Sequence, residues 1–216
     1  MGLYGQHVFP RLMDWVMSGQ VWQGLRDDLL KDAHGDVLEI GFGTGLNLPH
    51  YPATVSQLWM VDPAGFLPSR VRARVAQAAF PVHMEQLTAE SLPFPERRFD
   101  SIVSTWTLCS IPDPLKALRE IRRVLKPQGV FLFLEHGRSR EARIAAWQDR
   151  LNPIQNLIAC GCHLNRPIDL LIERSGFHLT DLSRFQVQHV PRIIGEMFQG
   201  HARTTQCGPR LQRAGQ

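Results

Sequence analysis

The chain has 216 residues, 44% of them hydrophobic and 20% charged, and a formal net charge of +4. That length and balance suit one globular domain with a sizeable core and exclude a disordered or fibrous chain. No apolar run approaches the ~20 residues of a membrane span, the arginines form no dense basic block of the kind that binds nucleic acid, and Cys109, Cys160, Cys162 and Cys207 in so long a chain make no disulfide scaffold.

Residues 1–35 are expected to form two helices. Pro10 opens the first, with Leu12, Trp15 and Val16 inward, and Gly19 stops it. The second carries Val21, Trp22, Leu25, Leu29 and Leu30 on one face. Ahead of a strand–helix alternation, such a segment has room over the sheet edge or the ligand crevice. It is therefore expected as a lid, with Tyr4, Trp15 and Trp22 toward the substrate.

Residues 36–40 read as a buried parallel strand that runs straight into Gly41-Phe42-Gly43-Thr44-Gly45. Glycines let the backbone turn sharply and approach a ligand without a Cβ in the way. A dinucleotide loop spaces its glycines G-x-G-x-x-G, to set a helix N-terminus on a pyrophosphate. Here the last glycine comes one residue early, at Gly45, and Glu39 stands two residues ahead of the loop. A carboxylate there suits a cationic ligand better than a diphosphate, which disfavours a nicotinamide dehydrogenase. A short helix is expected near Gly45 and Leu46. The next strand, 57–61, closes on Asp62, where a carboxylate can accept both hydroxyls of a ribose.

A helix over about 66–79 carries Arg70, Arg72 and Arg74 as a solvated face. Strands follow at 82–86 and 99–104. The second ends in Thr105-Trp106-Thr107-Leu108-Cys109, at the carboxyl edge where open α/β sheets bind ligands. A helix from Pro114 ends at the turn Lys126-Pro127-Gln128-Gly129. The strand 130–134 then leads to Glu135-His136. A helical stretch 142–159 is expected to break at Asn152-Pro153. Pro167 opens a helix closed by Ser175-Gly176, and strands near 177–187 and 197–203 form a hairpin. Residues 204–216 are polar and unpatterned, and are expected to be a disordered tail.

Strand and helix thus alternate through one domain, 36–203, which implies a doubly wound α/β fold with helices on both faces of a mostly parallel sheet. The E-x-G-x-G-x-G loop with Asp62 resembles the class I S-adenosylmethionine-dependent methyltransferases. Thr107-Leu108-Cys109-Ser110-Ile111, Leu125-Lys126-Pro127, Glu135-His136, Trp147-Gln148 and Gly161-Cys162-His163-Leu164-Asn165-Arg166 narrow the resemblance. They are similar to the alkyl thiol methyltransferases of the methyltransferase-like group and their bacterial relatives. Departures are Gln128, where the family usually has a second glycine, and His163-Leu164-Asn165, where the mammalian members read Asn-Leu-Thr.

The resemblance implies a Rossmann-like sheet of seven strands in the order 3-2-1-4-5-7-6, with the last strand antiparallel. It implies a site for S-adenosylmethionine at Glu39, Gly41, Gly43, Thr44, Gly45, Asn47, Asp62, Pro63, Thr105 and Leu108, with Ala89 and Glu90 near the adenine. The acceptor is expected to be a small thiol. A phenol, a phospholipid amine or a quinone carbon is the alternative, and a non-catalytic cofactor-binding module is the alternative of another class. His136, His163 and Arg166 are the candidates for favouring the thiolate, and Trp15, Trp22, Trp106 and Trp147 for walling an apolar pocket. No metal is expected, because the cysteine and histidine spacing supplies no recognisable ligand pairs. No nucleic acid, a monomer or homodimer, and a cytoplasmic location without an integral membrane segment complete the expectation.

Overall fold

The structure is a computed structural model that describes residues 8–64 and 68–204. Its sheet has seven strands: β1 (Gly35–Ile40), β2 (Val55–Val61), β3 (Val82–Glu85), β4 (Phe99–Thr105), β5 (Leu125–His136), β6 (Phe177–Gln186) and β7 (Glu196–Thr204). Their order is β3-β2-β1-β4-β5-β7-β6. The first five pair in parallel and β7 runs antiparallel to both neighbours, as the resemblance implies. Six helices surround the sheet: α1 (Phe9–Met17), α2 (Gln20–Leu30), α3 (Pro68–Val75), α4 (Pro114–Val124), α5 (Ala142–Ile158) and α6 (Ile168–Arg174).

Alternation along the central strands sends side chains to two cores. Leu38, Ile40, Ile102, Phe131 and Phe133 point to the face covered by α4 and α6. Val37, Val103, Leu132 and Leu134 point to the opposite face, beneath α2 and α3. In α4, Ala117, Leu118, Ile121 and Val124 recur at helical spacing and are all buried, and the Asp113 side chain caps its start by accepting from Lys116 N.

Five local expectations need correction. Leu12, Trp15 and Val16 lie outward, with Trp15 76% exposed, while Asp14 on the other face is buried. Asp14 accepts from Arg74 Nη1 at 2.9 Å and is ion-paired with Arg70, and these contacts rotate the apolar stripe of α1 away from the core. For the same reason Arg70 and Arg74 are not merely a solvated face. Only a single 3-10 turn, Leu48–His50, follows the glycines, because Gly45 has a positive φ and Pro49 and Pro52 leave no room for a longer helix. Residues 126–129 belong to β5 instead of ending α4. The register jumps from Phe99↔Leu125 to Ser101↔Val130, and Lys126 clamps the bulge with 2.8 Å bonds to both Asp100 oxygens. Finally, α5 runs unbroken through Pro153. Thr204 is the last residue of β7; the rest of the expected tail, and Tyr4, lie outside the described residues.

Candidate functional site

Parallel strands place the carboxyl ends of β1, β2, β4 and β5 on one edge, successive strands about 4.8 Å apart. The glycine loop leaves β1 there. Gly41, Gly43 and Gly45 all have positive φ, which a side chain would strain. A Cβ on Gly41 would collide with Thr107, so this glycine lets the β1 and β4 loops pack together. A Cβ on Gly43 would meet nothing within 4 Å, so that backbone faces open space. Asp62 sits beside it, nearly buried: one oxygen accepts Gly43 N–H at 3.0 Å, the other Ala64 N–H at 2.9 Å. Burial raises the Asp62 pKa, against the lowering by those two bonds. Among the described residues no salt bridge reaches Asp62, and each carboxylate oxygen keeps a lone pair for a further donor.

Glu39 lies near the end of β1, beneath the glycine loop. It is fully buried, with Oε1 accepting from Asn47 Nδ2 and Oε2 from the Tyr51 hydroxyl, each at 2.9 Å. Burial pushes its pKa up to about 7, although those bonds and the Arg26 charge act to lower it. Asn47 also donates to Thr105 Oγ1 at 2.9 Å and accepts from Arg26 Nε at 3.0 Å. Glu39, Asn47 and Thr105 therefore form one buried network that fixes the loop from below. Thr44 is buried and its carbonyl accepts from Arg74. Pro63 is exposed, its carbonyl accepting from Gln86. Ala89 is buried in the loop after β3, and Glu90 Oε1 lies 3.5 Å from Asp113 N.

The loop after β4 is organised by Glu135. Its Oε1 accepts from Ser104 Oγ at 2.7 Å and from the backbone N–H groups of Thr107 and Leu108 at 3.1 and 3.0 Å, while buried Oε2 has no partner. Arg166 holds the other side of this loop, with Nη1 donating to Leu108 O and, at 2.6 Å, to Ile111 O. Burial lowers its pKa, and the nearby thiols of Cys109 and Cys162 act to raise it.

His136, at the end of β5, lies 3.4 Å through Nε2 from Cys162 Sγ, and its ring also bonds the His163 backbone. Burial acts to lower its pKa, but those bonds and the Cys162 and Glu135 charges outweigh it, and the net shift is upward. Cys162 Sγ in turn lies 3.7 Å from Cys109 Sγ. His163 stands apart. Both ring nitrogens are held by α5 amides, Nδ1 by Asn152 at 3.1 Å and Nε2 by Asn156 at 3.0 Å. Asn152 Oδ1 accepts Leu164 N–H, so it is Asn152 Nδ2 that faces Nδ1, and Asn156 Nδ2 faces Nε2.

Of the four tryptophans expected to wall the pocket, only Trp22 and Trp106 meet, edge to face at 5.6 Å, with the Arg26 guanidinium 4.8 Å above the Trp106 ring. Trp15 and Trp147 are exposed. Arg26, Tyr51 and the part Glu135 plays in ordering the loop after β4 were not singled out from the sequence. Only Glu135, next to His136 at a strand end, carried a local signal.

Residues 38–133 match the methyltransferase domain family. The chain is 33% identical over 152 residues to a thiol S-methyltransferase, TMT1B, of Rattus norvegicus, covering 65% of this chain and 59% of the relative. It is 31% identical over 167 residues to a phosphatidylethanolamine N-methyltransferase of Cereibacter sphaeroides, covering 76% and 77%. It thus spans about three fifths of the rat thiol methyltransferase. The fold matches the crystal structure of YcgJ from Bacillus subtilis with a TM-score of 0.62 at 19% identity, over 85% of this chain and 95% of that one. Among the described residues no helix is long and apolar enough to cross a membrane.

Proposed function

Since the chain belongs to the class I S-adenosylmethionine-dependent methyltransferases, we propose that it moves the cofactor's methyl group to a small thiol. The residues fit the cofactor. Gly43 presents bare backbone to open space, and the Asp62 carboxylate beside it, without a cation partner among the described residues, can accept a ribose diol. The buried Glu39–Asn47–Thr105 network holds this loop rigid instead of touching a ligand's charge directly. The cofactor itself supplies an electrophilic methyl on a sulfonium.

The observation that carries the acceptor half is that His136 sets Nε2 3.4 Å from the chain's own Cys162 sulfur at this sheet edge, with Arg166 holding the adjoining loop, a setting that accommodates sulfur. A free thiol has a pKa near ~8.5, so only a few per cent is thiolate at pH 7. An imidazole and a guanidinium raise that fraction. His136 is thus the residue through which the acceptor becomes nucleophilic, and Arg166 positions the loop while lending its charge. His163 is not carried further. We assign α1 and α2 as a cover over the crevice, with Trp22 and Trp106 as its apolar wall. Three free cysteines among the described residues accord with a reducing compartment such as the cytoplasm.

A phospholipid amine is the second reading. It is favoured by the Cereibacter relative and by the outward stripe of Leu12, Trp15 and Val16, which suits a lipid surface. Transfer of labelled methyl to alkyl thiols by the purified protein tests the first reading; transfer to ethanolamine lipids alone would replace it with the second.

A further inference from the structure

Three ligand-type side chains converge from separate elements: Cys109 after β4, His136 at the end of β5, and Cys162 after α5. Cys162 Sγ is 3.7 Å from Cys109 Sγ and 3.4 Å from His136 Nε2, and all three ligand atoms lie within 4.8 Å of one another. A tetrahedral zinc ion has bonds of ~2.3 Å to sulfur and ~2.0 Å to nitrogen. Those lengths put two sulfurs ~3.8 Å apart and a sulfur and nitrogen ~3.5 Å apart. Two of the three edges therefore already have the dimensions of a bound ion, and the third has at most ~1.3 Å to close.

The surroundings support a ligand set over two thiols that merely pack together. His136 turns Nε2, the usual ligating nitrogen, toward Cys162 Sγ. His163 N–H bonds Cys109 O at 2.9 Å, stapling the two cysteine loops to each other. Arg166 holds the loop that carries Cys109, through the carbonyls of Leu108 and Ile111 on either side of it. Among the described residues no fourth His, Cys, Asp or Glu joins the cluster, so one tetrahedral position is left for an outside ligand.

We propose that Cys109, His136 and Cys162 bind one thiophilic divalent cation of the zinc type, whose fourth position takes the acceptor thiol. This refines the expectation of no metal, which rested on spacing along the chain. The cation site stands on geometry alone; its use in methyl transfer rests on the thiol reading above. A thiol that coordinates loses its proton, here to solvent, and is held as thiolate at neutral pH. His136 then acts through the cation, not as the proton acceptor. The thiolate sulfur forms a bond to the methyl carbon as the sulfonium carbon–sulfur bond breaks. The thioether product, now neutral, binds the cation weakly and leaves.

The test uses the full chain, kept reduced with a phosphine, stripped with chelator and titrated with cobalt(II). The proposal predicts one equivalent bound, with sulfur-to-cobalt charge-transfer absorption and the visible bands of a tetrahedral ion. Propanethiol should shift those bands. Cys162→Ser and Cys109→Ser should each weaken cobalt binding by more than about 100-fold, while Cys160→Ser should leave it intact. Circular dichroism identifies any variant that fails to fold, and either cysteine variant alone suffices. No tetrahedral spectrum from protein whose thiols are all titratable, or a spectrum that both variants keep, overturns the proposal. Undiminished thiol methylation by the stripped protein overturns the catalytic use and leaves the thiol reading standing. A normal cobalt site with no methylation of any thiol sinks that reading and leaves the site.

Discussion

Arg26 Nε donates to Asn47 Oδ1 at 3.0 Å, joining α2 to the loop that follows β1. Arg26 also bonds Met17 O at 2.8 Å and covers the Trp106 ring, so one guanidinium ties both N-terminal helices to the cofactor edge. Burial lowers its pKa to about 10, and the Glu39 charge opposes that fall. Arg26→Met should cost about 1.5–3 kcal/mol, the range for hydrogen bonds to a charged group. Chemical denaturation measures it, and hydrogen exchange should speed up in residues 41–48. A change below about 0.5 kcal/mol would mean that the helices dock without this link.

Asp62→Ala removes the carboxylate assigned to the ribose. Cofactor affinity should fall by about 1.5–3 kcal/mol, or roughly 10- to 150-fold. Calorimetric titration reads the change directly. Unaltered affinity in a folded variant would falsify the placement of the ribose.

Glu39 makes stability depend on pH. Its folded pKa of about 7 exceeds that of a free carboxyl, so the folded chain holds this proton more tightly. The stabilisation is complete below pH ~4.5 and is lost as pH rises through about 7. The loss is on the order of 3 kcal/mol for a shift of this size. Glu39→Gln should therefore narrow the gap between unfolding free energies at pH 5 and pH 8. Equal pH dependence in the two proteins would show that Glu39 keeps an ordinary pKa.

His136→Ala should lower turnover at pH 7 by about 10²-fold or more. If the ring acts as base, raising the pH restores part of the rate, since solvent then supplies the thiolate. If it acts through a cation, cobalt binding is lost as well. A variant with the wild-type rate and pH profile removes His136 from the mechanism.

The strand–helix alternation and the glycine turn after β1 were legible in the sequence because they depend on short apolar runs and local spacing, whereas the sheet order came from the family resemblance. What stayed hidden depends on contacts between distant segments. Trp15 looked inward by periodicity, but the pairing of Asp14 with Arg70 and Arg74, more than fifty residues away, decides which face of α1 turns in. The contacts of Glu39 with Tyr51 and Asn47, which tie it into the loop's own network, were not legible either. The Asn152 and Asn156 amides at the His163 ring depend on α5 continuing through Pro153, which the sequence did not suggest. Cys109 and Cys162 are 53 positions apart, so no spacing rule joins them.

The most direct test of the account offers the purified protein an equimolar mixture of an alkyl thiol, a phenol, a quinol and an ethanolamine phospholipid with methyl-labelled cofactor. Products are identified by mass. The account predicts label in the thioether ahead of every other product, with the rate falling in both His136→Ala and Asp62→Ala. Label on oxygen, nitrogen or carbon and none on sulfur would contradict it.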